Sequence, residues 1–244
     1  MQRSRTQFIK AGQSRRFEGL TPDAPFWAIG DVHGCAALLE KLLTKTLASG
    51  DPVVLVGDYI NKGPHTADVL KMLHTASQTD DVTALRGNHE DLLLRFLDRP
   101  RVYARQFILY GGNATLESFG AAALTEDSNP KAAVQSRDTL AAALGELRPW
   151  LSSLPFHYQS GNVAVIHAGA APDQPVASQK PKSLLWGHPQ FDKVARQDGL
   201  WVVHGHRQTA AVAIKDRRIA IDTGAYHSGT LTAVHIAPNN LTVA

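Results

Sequence analysis

Sulfur is scarce in this chain. One cysteine, Cys35, among 244 residues leaves no partner for an internal disulfide, which fits a reducing compartment. No apolar run approaches the ~18 residues of a membrane span, so no membrane partner is expected. The first 20 residues lack an apolar h-region, so they do not read as a secretory signal. They are Arg-rich and free of acid up to Glu18, a transit-peptide composition, but a solvated basic tail is the simpler reading. There is no internal repeat and no low-complexity tract. Charged residues make up only 19% of the chain and hydrophobic residues 43%, enough for a sizeable core and against disorder. The net charge of +3 and pI near 9.0 invite a nucleic-acid partner. Residues 1–20 carry +4, however, and the other 224 carry −1. The basic character belongs to the leader, and nucleic acid is not expected as a partner.

What is present is an alternation of strand and helix patterns. Short apolar runs at 26–29, 53–56 and 82–85 predict strands, and the segments 35–48, 66–76 and 90–97 predict helices. This order predicts a partly parallel sheet covered by helices. Residues 101–150 are Ala-rich and helix-like and read as a helical insert. From 163 onward, short strands at 163–166, 200–203, 211–214, 218–221 and 230–236 predict hairpins and an antiparallel second sheet. One domain is expected over 21–244, preceded by a flexible basic leader at 1–20.

The chemistry lies where the strands end. Gly30-Asp31-Val32-His33-Gly34, Gly57-Asp58-Tyr59-Ile60-Asn61-Lys62-Gly63 and Arg86-Gly87-Asn88-His89-Glu90 follow the three early strands. His167-Ala168-Gly169 and His204-Gly205-His206 follow two later ones. Ligands of open α/β sheets bind at the carboxyl ends of strands, so these loops are expected to converge. Their donors are oxygen and nitrogen without sulfur, which suits manganese, iron or zinc better than calcium. Six donors exceed one tetrahedral site but fit two ions sharing a bridging carboxylate, ~3.5–4 Å apart.

In this order the five motifs resemble the bacterial phosphoprotein phosphatases among the calcineurin-like metallophosphoesterases, over about residues 26–236. The resemblance implies an α/β (α+β) sandwich of two mixed β-sheets flanked by helices, with a dinuclear metal site at the strand-end loops. It implies that Asp31 and His33 bind the first ion, that Asp58 bridges, and that Asn88, His167 and His206 bind the second. His206 is favoured over His204 for that place. His89 would be the general acid, and Arg86 and Lys62 would hold the substrate phosphate. The implied cofactors are two divalent ions, manganese first, with iron, zinc, nickel or magnesium as alternatives. The implied activity is phosphoester hydrolysis by a metal-activated water, first as a protein Ser/Thr phosphatase that also takes aryl phosphates. The alternatives are a symmetrical diadenosine tetraphosphatase and a metal-binding pseudophosphatase that docks phosphoproteins. The partner is a phosphorylated protein or a small phosphoester, and a cytoplasmic monomer is expected.

One motif departs from the family. The second loop usually reads GDxxDRG, whereas here Asn61 replaces the second Asp and Lys62 the Arg. Asn61 can hydrogen-bond His89 but brings no charge to raise its pKa. Lys62 keeps the charge but loses the bidentate fork.

Overall fold

The computed structural model describes residues 6–79 and 81–244. Among these, the strands are β1 (Gln7–Ile9), β2 (Ser14–Arg16), β3 (Phe26–Ile29), β4 (Val53–Leu55), β5 (Val82–Ala84) and β6 (His157–Ser160). They continue as β7 (Val163–Ile166), β8 (Trp201–His204), β9 (Val212–Lys215), β10 (Arg218–Ala220), β11 (Ala233–Ala237) and β12 (Asn240–Val243). The helices are α1 (Ala36–Leu47), α2 (Thr66–Ala76), α3 (Asn88–Asp98), α4 (Pro100–Leu109) and α5 (Gly112–Ser118). They are followed by α6 (Pro130–Leu144), α7 (Leu147–Ser153), α8 (Pro181–Trp186) and α9 (Ala225–Ser228).

Two six-stranded sheets result, ordered β2-β12-β11-β3-β4-β5 and β1-β9-β10-β8-β7-β6. β3, β4 and β5 run parallel, with α1 and α2 as crossovers. Their residues are apolar without alternation because both faces are covered. Ile29, Val53 and Leu55 face the helices, and Ala28, Val54 and Val56 face the other sheet. The inter-sheet core adds Val163, Val165, Val203 and Ile219 from the second sheet. The outer face of that sheet buries Ile166 and Val202 under Phe191 and Val176 of the long loops. The segment 101–150 forms α4 to α6 and the start of α7, separated by a loop at 119–129.

Two expectations are corrected. The second sheet is mixed, as the resemblance implies but against the antiparallel reading of the strand spacing, because β7, β8 and β10 lie parallel. Only β6–β7, β9–β10 and β1–β9 pair antiparallel within it, and β11 crosses to the first sheet beside β3. The leader is also not a free tail within the described residues; Arg3 and Arg5 lie outside them. β1 adds to β9 at the edge of one sheet and β2 to β12 at the edge of the other. Ile9, Phe17 and Leu20 are buried in the inter-sheet core, whereas Arg15 and Arg16 point outward from the edge strand. Three-residue strands are too short to show a period, and the arginines mask the anchors. Charge on an edge strand also discourages pairing with another chain.

Candidate metal centre

The loops after β3, β4, β5, β7 and β8 open at one edge of the sandwich, and their backbones are strained there. Among the described residues, non-glycine residues with left-handed φ include His33 (44°), Asp58 (58°), Asn61 (68°), Lys62 (65°) and His206 (63°). Such residues cost about 1–3 kcal/mol each and persist where packing over-determines them. Gly205 and Gly87 explain part of the closeness. A Cβ on Gly205 would strike the Asp31 carboxylate, and one on Gly87 would strike Asp58.

Two compact triads form, His33–Asp58–His89 and Asp58–His167–His206, with ligand atoms inside each within 4.8 Å of one another. Asp58 belongs to both. Its Oδ1 lies 3.4 Å from His167 Nε2, and its Oδ2 lies 3.7 Å from the Nε2 atoms of His33 and His89. Asp31 sits beside them, its carboxylate accepting the His206 N–H at 3.0 Å. Burial foremost, then Asp222 and Asp58, pushes the Asp31 carboxyl up; burial and Glu90 do the same to Asp58.

The tautomers tell what the site expects. His33 donates Nδ1–H to the Ile60 carbonyl (2.8 Å), and His167 donates Nδ1–H to the Val56 carbonyl (3.1 Å). Each therefore presents an unprotonated Nε2 inward, the usual arrangement for a ligating histidine. His167 Nε2 then meets Asn88 Oδ1, another acceptor, at 2.8 Å, and His206 Nδ1 lies 2.9 Å from the same oxygen. Burial drives these rings further toward neutrality, His33 to about 3. Acceptors converging with raised carboxylates fit a divalent cation, so the residues present suit the metals that the motifs imply.

Other positions were less legible. Glu90 had no assigned role, yet its buried carboxylate accepts N–H groups from Asp58 (2.9 Å), Tyr59 (2.8 Å) and Gly87 (2.9 Å). It ties the second and third motifs together, and its place at the third residue of a helix was the available signal. Glu90→Gln should cost on the order of 3 kcal/mol, since bonds to a charged acceptor are worth ~1.5–3 each. Thermal unfolding should show a Tm lower by roughly 6–12 °C; an unchanged Tm would refute the brace.

Asn61 is held by Thr115, whose hydroxyl donates to Oδ1 at 2.7 Å and accepts the Asn61 backbone N–H at 3.0 Å. The Asn61 amide therefore aims its NH₂ at His89 Nδ1, 2.8 Å away. His89 is neutral, its single proton on Nε2. Lys62 lies in the site, Nζ 3.2 Å from His33 Nε2 and 4.7 Å above the Tyr226 ring. Arg86 does not join it, a correction. Strand geometry after β5 sends its guanidinium the other way, to the Ser152 carbonyl and over Phe156 (4.8 Å). His204 also stays outside, buried against Phe191, where burial lowers it to about 4. Burial pushes the Cys35 thiol up.

Among the described residues, no helix is long and apolar enough to cross a membrane. The bis(5'-nucleosyl)-tetraphosphatase PrpE [asymmetrical] of Bacillus velezensis is 30% identical over 241 residues, 88% of this chain and 90% of the relative. Serine/threonine-protein phosphatase 1 of Salmonella typhimurium is 39% identical over 70 residues, 28% of this chain and 31% of that one. A protein serine/threonine phosphatase structure from Saccharomyces cerevisiae shares the fold at a TM-score of 0.60 and 18% identity, covering 92% of this chain and 80% of that one. Residues 24–210 match the calcineurin-like phosphoesterase family, and the chain, with a His/Asp cluster at its strand ends that could hold metal ions, belongs to that family.

Proposed function

We propose that this phosphoester hydrolase acts on dinucleoside polyphosphates, adding water across one phosphoanhydride so that two nucleotides form and one of them departs through a phosphate oxygen. The observation that carries the reading is the Asn61 amide facing His89 Nδ1. With a donor on that side, protonating Nδ1 sets N–H against N–H, and burial adds to the cost. His89 can hydrogen-bond a leaving oxygen through Nε2–H, but it is a poor source of a full proton. A leaving phosphate has a second pKa near ~6 and departs at neutral pH without one. A serine alkoxide is far more basic and needs the proton. The Bacillus relative, named for dinucleoside tetraphosphate hydrolysis and spanning most of both chains, supports the same reading.

The parts divide as follows. Asp31, His33 and Asp58 would hold one divalent ion, and Asp58, Asn88, His167 and His206 the other. Manganese is the proposed occupant, with iron, zinc, nickel or magnesium as alternatives, and the pair when bound supplies Lewis-acid charge and water activation. Lys62 attracts the phosphoryl oxygens as a point charge. Protein Ser/Thr phosphatase activity is the second reading, favoured by the 70-residue match to the Salmonella enzyme.

The manganese-loaded protein should show a higher kcat/KM on diadenosine tetraphosphate than on a phosphoserine peptide. Asn61→Asp supplies the anion that lets His89 hold two protons. It should shift that ratio toward the peptide by about 10-fold or more, a partial recovery of the ~10²–10⁴-fold that acid catalysis supplies. A wild-type protein that prefers the peptide overturns the first reading. A protein that binds two ions and hydrolyses neither supports a docking role instead.

A further inference from the structure

Beside the metal-ligand cluster, the insert and the long second-sheet loop build an aromatic corner that the hydrolytic chemistry does not require. Tyr110, at the end of α4, is 37% exposed. Its ring meets the His89 ring edge-on at 5.6 Å between centroids. The Trp186 ring, at the end of α8, stands 5.7 Å from Tyr110 at an interplanar angle of 82°. The two rings stand nearly perpendicular, as the faces of an L, beside His89. The corner is fixed to the site, because the Gly111 carbonyl accepts the Lys62 backbone N–H at 3.2 Å. A left-handed Gly111 (φ 82°) makes that turn, and a Cβ there would press on Lys62.

We propose that Tyr110, backed by Trp186, is a specificity-determining residue that stacks a planar ring carried by the leaving group. The position follows from His89, which faces the departing oxygen, so the corner lies on the leaving-group side of the scissile bond. A planar ring can lie on one face of the L while the other ring meets its edge, the favoured geometry for aromatic contacts. Resting on the dinucleoside polyphosphate reading, the ring is the nucleobase of the departing nucleotide. The aryl group of an aryl phosphate would offer the same chemistry closer to the bond. Stacking of a base on an aromatic side chain tolerates any base, so no base preference follows.

The experiment compares kcat/KM on diadenosine tetraphosphate with kcat/KM on inorganic tripolyphosphate, which has the anhydride without a ring. In Tyr110→Ala the ratio of the two should fall by roughly 5- to 150-fold, the range for losing one base–aromatic stack. Any loss passed through His89 is common to both substrates and cancels. Tyr110→Phe keeps the ring and should hold the ratio within about twofold. Equal losses on both substrates in Tyr110→Ala, or a Phe variant as poor as the Ala variant, overturn the stacking role. If the wild-type protein hydrolyses neither anhydride, the polyphosphate reading fails separately. The same ratio is then taken between phenyl phosphate and glycerol 2-phosphate, where a fall in Tyr110→Ala upholds the shelf for an aryl source and no fall rejects it.

Discussion

An Asp58→Asn chain should retain neither metal ion and should lose activity by ~10³-fold or more while staying folded. Asp58 is the residue common to both triads, with one oxygen toward His167 and the other toward His33 and His89. Removing its charge weakens both ion sites together. The charge stabilisation then lost is worth several kcal/mol, and each 1.36 kcal/mol is about a factor of ten in rate. Folding should survive for three reasons. The Asn side chain can still accept the His89 backbone N–H that Asp58 Oδ1 accepts at 3.1 Å. Asn tolerates the left-handed φ of 58° at this position. Without metal, a neutral amide also relieves a buried charge, because burial and Glu90 raise the Asp58 pKa. The sign for a raised carboxyl is fixed. Its stabilising share is present below the unfolded value and is lost as pH rises through the folded value. The metal-free variant should therefore melt at or above the metal-free wild type at neutral pH, with the difference shrinking toward acid. Manganese should raise the wild-type Tm and leave the variant's unchanged. Metal analysis of the purified variants decides the matter. Two ions retained at near wild-type activity would remove Asp58 from the bridge.

The convergence of the candidate metal ligands was legible because each belongs to a motif at a strand end, and the strands were legible because β3, β4 and β7 are uninterrupted apolar runs buried on both faces. The donors Asp31, His33, Asp58, Asn88, His167 and His206 gather at one edge for that reason. Arg86 was misjudged because sequence adjacency to Asn88 says nothing about side-chain direction after a strand. Its backbone N–H bonds to Pro155, and the guanidinium follows that neighbour. Thr115 and Tyr110 meet their partners across long sequence separations, and no local pattern marks such partners. The mixed pairing of the second sheet was hidden for the same reason. Strand spacing suggests successive hairpins, whereas only β9 and β10 pair that way, and β10 returns to lie parallel beside β8 with β9 on its far side.

The segment 1–20 should prove indispensable to folding, although its charge suggests a dispensable tail. Ile9, Phe17 and Leu20 lie in the inter-sheet core, and the Phe17 ring meets Trp201 at 5.6 Å. The Gly19 carbonyl accepts the Trp201 indole N–H at 3.1 Å, and Asn239 clasps the segment through both Phe17 and Leu20. β1 and β2 close one edge of each sheet, so their loss uncovers β9 and β12 together. Burying three such side chains is worth roughly 5–9 kcal/mol as an upper bound, at ~1.5–3 each. That is comparable to the ~5–15 kcal/mol stability of a whole domain. A chain of residues 21–244 should therefore melt more than ~10 °C lower or fail to melt cooperatively. Its activity should fall with its folded fraction, because none of the proposed metal or phosphate-binding residues lies in the segment. Arg15→Ser with Arg16→Ser lowers the pI while leaving the buried anchors in place. That variant should melt within about 4 °C of wild type, as exposed substitutions change stability by only ~0.5 kcal/mol each. A truncated chain with an unchanged melt would return the segment to the status of a tail. A large loss in the arginine variant would show that charge, not packing, secures the edge.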